Sequence, residues 1–459
     1  MTTPDPCGTP QATQPIGEGE AAMRACAEAL KTDPTNRSVL SQLAHLLLQR
    51  QRPFEVAVIC RRIAALAPAD FDALRILGHA LFMGRDGGGA LAALRRAYAI
   101  AKSASVLSDL AVLLQLAGLS RQAAQAYEAI VGAGGGNADT WHNLAVAHYT
   151  AGMVEATVAT LQALLARFPA YEPAYSLLAS VLAGHLGQLE AAAAVIDRAF
   201  AQGLRTPSLR REHGCLARAR ALREGIAGPR APAVIDREER VLLILGQSNA
   251  ANHGDVPAAA GREVAIIRSG TRFPSIDPLI GSSGCGGSIW SRAADGLIAT
   301  GWASRLVLLP AARGGTRVLD WVFSIEEILR PYVALAARID CVLWQQGESD
   351  TTAGTSTDDY ARAMIAIAEH LARRQIRAPI LVAASSYNAG RRSSAVTTAQ
   401  RALPRLHAAF RAGPELDDLA SDCRYDDVHL NARGQDIAAE RWVRAIAENG
   451  PLASRNGSH

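Results

Sequence analysis

Four short segments in the second half of this chain carry residue types able to do chemistry together. The first is Gly246-Gln247-Ser248-Asn249-Ala250, a serine just after an apolar run, where glycine permits a tight turn. If a helix starts there, its N-terminus favours developing negative charge, although a serine at that place also reads as an ordinary helix cap. The second is Ala312-Arg313-Gly314-Gly315-Thr316, whose glycines can turn a backbone N–H toward a reacting oxygen. The third is Gln345-Gln346-Gly347-Glu348-Ser349-Asp350, and the fourth Asp426-Asp427-Val428-His429-Leu430. A serine needs a base to take its proton, and His429 is the natural one; either neighbouring aspartate could orient it.

The elements that must position these segments follow from the apolar pattern. Short apolar runs at 241–245, 264–268, 305–310, 341–344 and 379–384 read as strands buried on both faces. Helical stretches at 325–338, 357–374, 397–409 and 432–448 lie between or after them. Such alternation predicts right-handed crossovers and a doubly wound parallel sheet, whose carboxyl strand ends carry the active site. Each chemical segment but the last directly follows one of the runs.

Taken in this order, the GQSN, GGT, QGESD and DxxH segments resemble the SGNH hydrolases, and within them the sialate O-acetylesterase-like carbohydrate esterases. The resemblance implies an α/β/α three-layer, flavodoxin-like domain and an acyl-serine mechanism on an O-acetylated sugar or glycan, without metal or other cofactor. It implies a triad of Ser248, His429 and Asp426, with Asp427 the competing acid. It implies an oxyanion hole made by the backbone N–H groups of Ser248 and Gly314 and the side-chain amide of Gln346. Gln247, Asn249, Gly315, Glu348 and Asp350 are carried as substrate-binding candidates, with bracing of the turn as the plainer role for Gln247 and Asn249, which flank the serine, and bracing of the loops for both carboxylates. His253 and Arg313 are near enough in sequence to line a pocket. Trp290, Trp321, Trp344 and Tyr387 could stack on a sugar ring, with core packing the plainer role for each. Acetyl transfer to a sugar hydroxyl by the same triad is the alternative chemistry, and a repeat scaffold with an accessory hydrolase the alternative of another kind.

The first half of the chain is patterned differently. Ala44, Gly78, Ala111, Ala145 and Ala179 recur in steps of 34, 33, 34 and 34 residues. A leucine precedes each, and Leu40, Leu74, Leu107, Trp141 and Tyr175 lie four residues before. This resembles the tetratricopeptide repeat, an all-α solenoid whose small positions let paired helices cross closely. It implies about five helical hairpins, a preceding helix near 20–30, a capping helix near 206–224, and a groove for a protein or peptide partner. The expected division is a flexible lead-in at 1–19, repeats at 20–225, a Pro- and Gly-rich linker at 226–238, the hydrolase at 239–449 and a tail at 450–459.

Composition narrows the remaining classes. The 459 residues carry a formal charge of only +4, and Lys31 and Lys102 are the sole lysines, so no basic block suggests nucleic acid or an anionic membrane. Seven scattered cysteines without a CxxC spacing read as buried free thiols. With no apolar leader at the start, a cytoplasmic location is the expectation, and self-association is left open.

Overall fold

A computed structural model describes residues 16–225 and 231–451. The expected lead-in, linker and tail fall wholly or partly outside the described residues, as does Cys7. The chain forms two compact units, Met1–Ala147 and His148–His459. Six cysteines are described, all free and buried. Among the described residues no helix is long and apolar enough to cross a membrane.

The first unit is helical. Helix α1 (Ile16–Thr32) precedes the pairs α2 (Arg37–Gln49) and α3 (Pro53–Leu66), α4 (Phe71–Met83) and α5 (Gly87–Ala101), and α6 (Ala104–Leu116) and α7 (Ser120–Gly132). The unit boundary lies within α8 (Ala138–Thr150). The repeat period is visible in the helix caps: the side chains of Asn36, Asp70 and Asn137 each accept the backbone N–H three residues on. The small positions Ala44 and Ala111 are fully buried, because a larger side chain would force the paired helices apart.

The second unit begins with helices in the same register, α9 (Val154–Arg167), α10 (Glu172–Ser180), α11 (Leu189–Ala201) and α12 (Pro207–Gly225). A π-turn, Val181–His185, extends α10. The expected preceding helix, hairpins and capping helix are therefore all present.

An eight-stranded sheet comes next in the chain: β1 (Ala231–Pro232), β2 (Glu239–Gly246), β3 (Val264–Arg268), β4 (Thr271–Pro274), β5 (Arg305–Pro310), β6 (Cys341–Gln345), β7 (Ile380–Ala384) and β8 (Phe410–Glu415). Their order is β1-β4-β3-β5-β2-β6-β7-β8, parallel from β3 to β8, with β4 and β1 added antiparallel at one edge. Strand β2 lies between β5 and β6, so the loops after these three strands converge.

Alternate residues of β2 serve opposite layers. Val241, Leu243 and Leu245 pack with Trp321, Met364 and Leu403 of helices α14 (Val318–Leu329), α16 (Thr357–Arg373) and α17 (Ser394–Leu406). Leu242 and Ile244 face Trp290, Leu297 and Trp442 of α13 (Trp290–Ala299) and α18 (Ala432–Asn449). Three layers result, as the patterning implies. The one remaining helix, α15 (Glu348–Ala353), begins inside the third chemical segment.

Two helix bounds differ from expectation. The helix expected at 325–338 starts at Val318 and gives way at Arg330 to 3₁₀ turns, since Pro331 has no N–H to continue the α-helical ladder. The helix expected at 397–409 starts at Ser394, where the Ser393 hydroxyl caps the Val396 N–H. Strand β8 escaped the apolar reading because only Phe410 and Pro414 of it are buried.

Candidate active site

Ser248 comes two residues after the end of β2. Gly246 has φ 130°, and a Cβ there would lie 2.0 Å from the Gln345 carbonyl oxygen, so only glycine lets β2 leave the sheet this close to β6. The chain then makes a single 3₁₀ turn, Ser248–Ala250, and not the helix expected there. The Trp290 indole N–H braces the turn by donating to the Ala250 carbonyl at 2.7 Å. Among the described residues the Ser248 hydroxyl makes no hydrogen bond, including none to His429.

Asn249 ties this turn to the loop that carries the base. Its side-chain oxygen accepts the Leu430 N–H (3.3 Å), and its amide donates to the Val428 carbonyl (3.2 Å) and to Glu348 Oε1 (2.8 Å). Residues 428 and 430 flank His429, so the side chain next to Ser248 holds the loop on both sides of His429. Asn249 is buried and spent on these bonds, which removes it from the substrate-binding candidates.

The base and its acid are paired. His429 Nδ1 lies 2.7 Å from Asp426 Oδ2, while Asp426 Oδ1 accepts the backbone N–H groups of Val428 (3.0 Å) and His429 (2.7 Å). Burial works to raise the Asp426 carboxyl, but the hydrogen bond and charge of His429 and the two backbone donors outweigh it and hold it well below the usual carboxylate range. Asp427 points elsewhere, accepting from the Tyr387 hydroxyl at 2.5 Å. Of the two aspartates, it is Asp426 that pairs with His429.

His429 is flanked by two rings, one of them the pocket candidate His253. His253 stacks on it at 5.3 Å between centroids, 21° between planes, and Tyr425 at 5.9 Å and 22°. The Tyr425 hydroxyl donates to the His253 carbonyl at 3.0 Å. His253 Nε2 lies 3.0 Å from the Ser283 hydroxyl, and burial together with the neighbouring His429 pushes its pKa well down, so it stacks as a neutral ring. No motif pointed to Tyr425, whose role comes from folding the loop back on itself through its N–H to the His429 carbonyl (3.0 Å).

Two of the expected oxyanion donors are engaged otherwise. The Gly314 N–H donates to the Ser283 hydroxyl at 2.8 Å. Gln346 is fully buried, and its amide nitrogen faces Gln247 Oε1 (3.0 Å), the Thr316 carbonyl (3.1 Å) and Asp350 Oδ2 (2.5 Å), while its oxygen accepts from the Tyr360 hydroxyl (2.8 Å). Two amide hydrogens have three acceptors inside the protein, and none is left for a substrate oxygen. Gly315, exposed and with φ 76°, is the glycine of the pair that stays open.

Gln247, Glu348 and Asp350 likewise brace the loops from within. Gln247 Oε1 also accepts the N–H groups of Gly347 (3.3 Å) and Ser349 (3.1 Å). Asp350 accepts from the Val318 N–H (2.9 Å) and the Thr355 hydroxyl (2.6 Å), and burial raises its pKa. Glu348 accepts from Asn249 and from the Ser385 hydroxyl (3.2 Å), and its Oε2 is buried without a partner. Arg313 is buried against Tyr149, donating to the Tyr149 carbonyl at 3.2 Å, and burial lowers it to about 10. Trp290, Trp321, Trp344 and Tyr387 are all core residues.

A prediction separates brace from donor at Gln346. Gln346→Ala takes the amide away from the Thr316 carbonyl, leaves Asp350 with only its Val318 and Thr355 donors and Tyr360 with its Trp344 and Gln400 partners, and opens a buried void; a buried acceptor left without its donor costs about 1–3 kcal/mol. The expected result is a melting temperature lower by roughly 5 °C or more. An unchanged melting curve with a turnover loss on the order of 100–1000-fold would instead mark an oxyanion donor.

Residues 238–448 match the family described as carbohydrate esterase, sialic acid-specific acetylesterase. None of the curated proteins matches the chain. Among solved structures, an Arabidopsis thaliana protein is 20% identical, with 46% of this chain and 98% of that one covered, at a TM-score of 0.37. The MamA protein is 25% identical over 34% of this chain and 87% of that one, at a TM-score of 0.32. YrrB, a TPR protein with an unusual peptide-binding site, is 13% identical over 43% and 99%, at 0.36.

Proposed function

We propose, on the premise that residues 238–448 are a carbohydrate esterase domain, that the chain removes O-acetyl groups from a sugar or glycan through an acyl-serine intermediate. The observation that supports this reading is Asn249, the residue next to Ser248, which bonds on both sides of His429 in the loop that holds the Asp426–His429 pair. In the reaction the Ser248 oxygen attacks the acetyl carbonyl and its proton passes to His429 Nε2, the nitrogen left free when Nδ1 donates to Asp426. His429 then gives that proton to the departing sugar oxygen, and a water repeats the sequence to release acetate. The backbone N–H groups of Ser248 and Gly315 are assigned to the oxyanion, since the Gly314 N–H and the Gln346 side-chain amide are engaged. The helical hairpins are assigned a peptide or protein partner, because stacked hairpins present an extended surface for one.

The test is a panel of O-acetylated sugars and chromogenic esters of increasing acyl length. Acetyl esters are expected to turn over fastest, with acetate and the free alcohol as products. Faster hydrolysis of long-chain esters would overturn the carbohydrate assignment.

A further inference from the structure

Helices α10 and α12 are built into the loops that carry the site. The Gly284 N–H donates to the Ser180 hydroxyl (2.8 Å) and the Gly281 N–H to the Gly184 carbonyl (2.9 Å). A Cβ on Gly184 would lie 2.2 Å from the Ser282 carbonyl oxygen, so this approach depends on glycine. On α12 the Cys215 thiol donates to the Asp255 carbonyl at 3.4 Å. One turn earlier on the same face, the Arg211 guanidinium lies over the Tyr425 ring, 4.2 Å from its centroid. Tyr425 is the ring stacked on His429.

Arg211 makes no side-chain hydrogen bond among the described residues, and its role is therefore not that of a brace tying two loops. It is a half-buried cation stacked on the ring that backs the base, close enough to Asp426 and His253 to act on both electrostatically. We propose that Arg211 is a positioning residue of the esterase: it clamps the Tyr425–His429 stack and sets a fixed positive charge beside the Asp426–His429 pair, making the last helix before the esterase domain part of the catalytic apparatus. The proposal rests on the Ser248–His429–Asp426 reading above.

The charge has a sign that can be measured. A fixed cation beside an acid–base pair disfavours uptake of a further proton there, so its removal is expected to move the acid limb of the pH profile to higher pH. The other groups around the stack are Asp426, Asp427 and Arg424 of its own loop, His253 and Asp255 after β2, Glu348 of α15, and Glu212 and Cys215 of α12; of these Asp426, His253, Glu212 and Cys215 also feel the Arg211 charge.

The experiment is the pH profile of kcat/KM for full-length Arg211→Gln and Arg211→Lys on an acetyl ester that the wild type hydrolyses, with Ser248→Ala alongside. In Arg211→Gln the acid limb is expected to move to higher pH by about 0.5–1 unit, and plateau kcat to fall about tenfold for a loosened base. Arg211→Lys keeps a charge but loses the planar stack, so its limb stays near the wild-type position while kcat falls. An acid limb of Arg211→Gln that coincides with the wild type overturns the proposal whatever happens to kcat. If Arg211→Gln does not fold, Arg211→Lys decides: a wild-type kcat overturns the clamp. Activity surviving in Ser248→Ala would be a failure of the triad reading, and is separately visible.

Discussion

Replacing Ser248 by alanine is expected to lower kcat for acetyl-ester hydrolysis by a factor on the order of 10⁴–10⁶ while leaving the fold intact. The stability half of this expectation is unusual for a buried polar residue. The Ser248 hydroxyl makes no hydrogen bond among the described residues, so its removal strands no partner, and the turn remains held by the Trp290 and Asn249 side chains. A melting temperature within about 2 °C of the wild type is therefore expected, corresponding to the ±0.5 kcal/mol of a neutral change. His429→Ala should lose about as much turnover, and the double variant no more than either single one, because a nucleophile and its base act as one unit. Hydrolysis persisting within tenfold of wild type in Ser248→Ala would remove the acyl-serine mechanism altogether.

How far the site could be read beforehand depended on the range of the forces that make it. The strands β2, β3, β5, β6 and β7 are continuous apolar runs because both their faces are covered, and such runs are visible locally. Strand β8 pairs only with β7, exposes most of its residues, and owes its place to the edge of a sheet already formed. Asp426 and His429 sit three residues apart, so their pairing is a local matter of one loop. Gln346 is the opposite case. Its residue type suits an oxyanion donor, but its direction is set by Gln247, Thr316 and Asp350, which arrive from three other parts of the chain. Glu348 and Asp350 are likewise aimed inward by partners on other loops, Asn249 and Val318. The stack of His253, His429 and Tyr425 has no motif, since it joins the segment after β2 to the loop before α18. Motif spacing therefore located the chemistry, while tertiary hydrogen bonds decided which polar residues are free to take part.

Asp426→Asn is the second large effect expected, a loss of about 10⁴-fold in kcat, and the geometry says why so small a change should cost so much. Asp426 Oδ1 is held by two backbone donors, the N–H groups of Val428 and His429. An asparagine in the same place keeps those bonds only by leaving its oxygen there, which turns its NH₂ toward His429 Nδ1. That nitrogen must then accept, the ring proton moves to Nε2, and the nitrogen that should take the serine proton already carries one. The tautomer, and not the fold, is what fails. Asp427→Asn is the internal control: Asp427 bonds the Tyr387 hydroxyl and not the base, so turnover within about threefold of wild type is expected for a residue outside the acid–base pair. A pH signature accompanies the change. The folded protein holds the Asp426 carboxyl below its ordinary 3.8, so its contribution to stability is fully present above that value and is lost as the pH falls below it. Acid unfolding of Asp426→Asn should lack that component, giving a shallower loss of stability below pH 3.8 than the wild type shows. Equal kcat for Asp426→Asn and wild type, or a greater loss in Asp427→Asn, would transfer the orienting role away from Asp426.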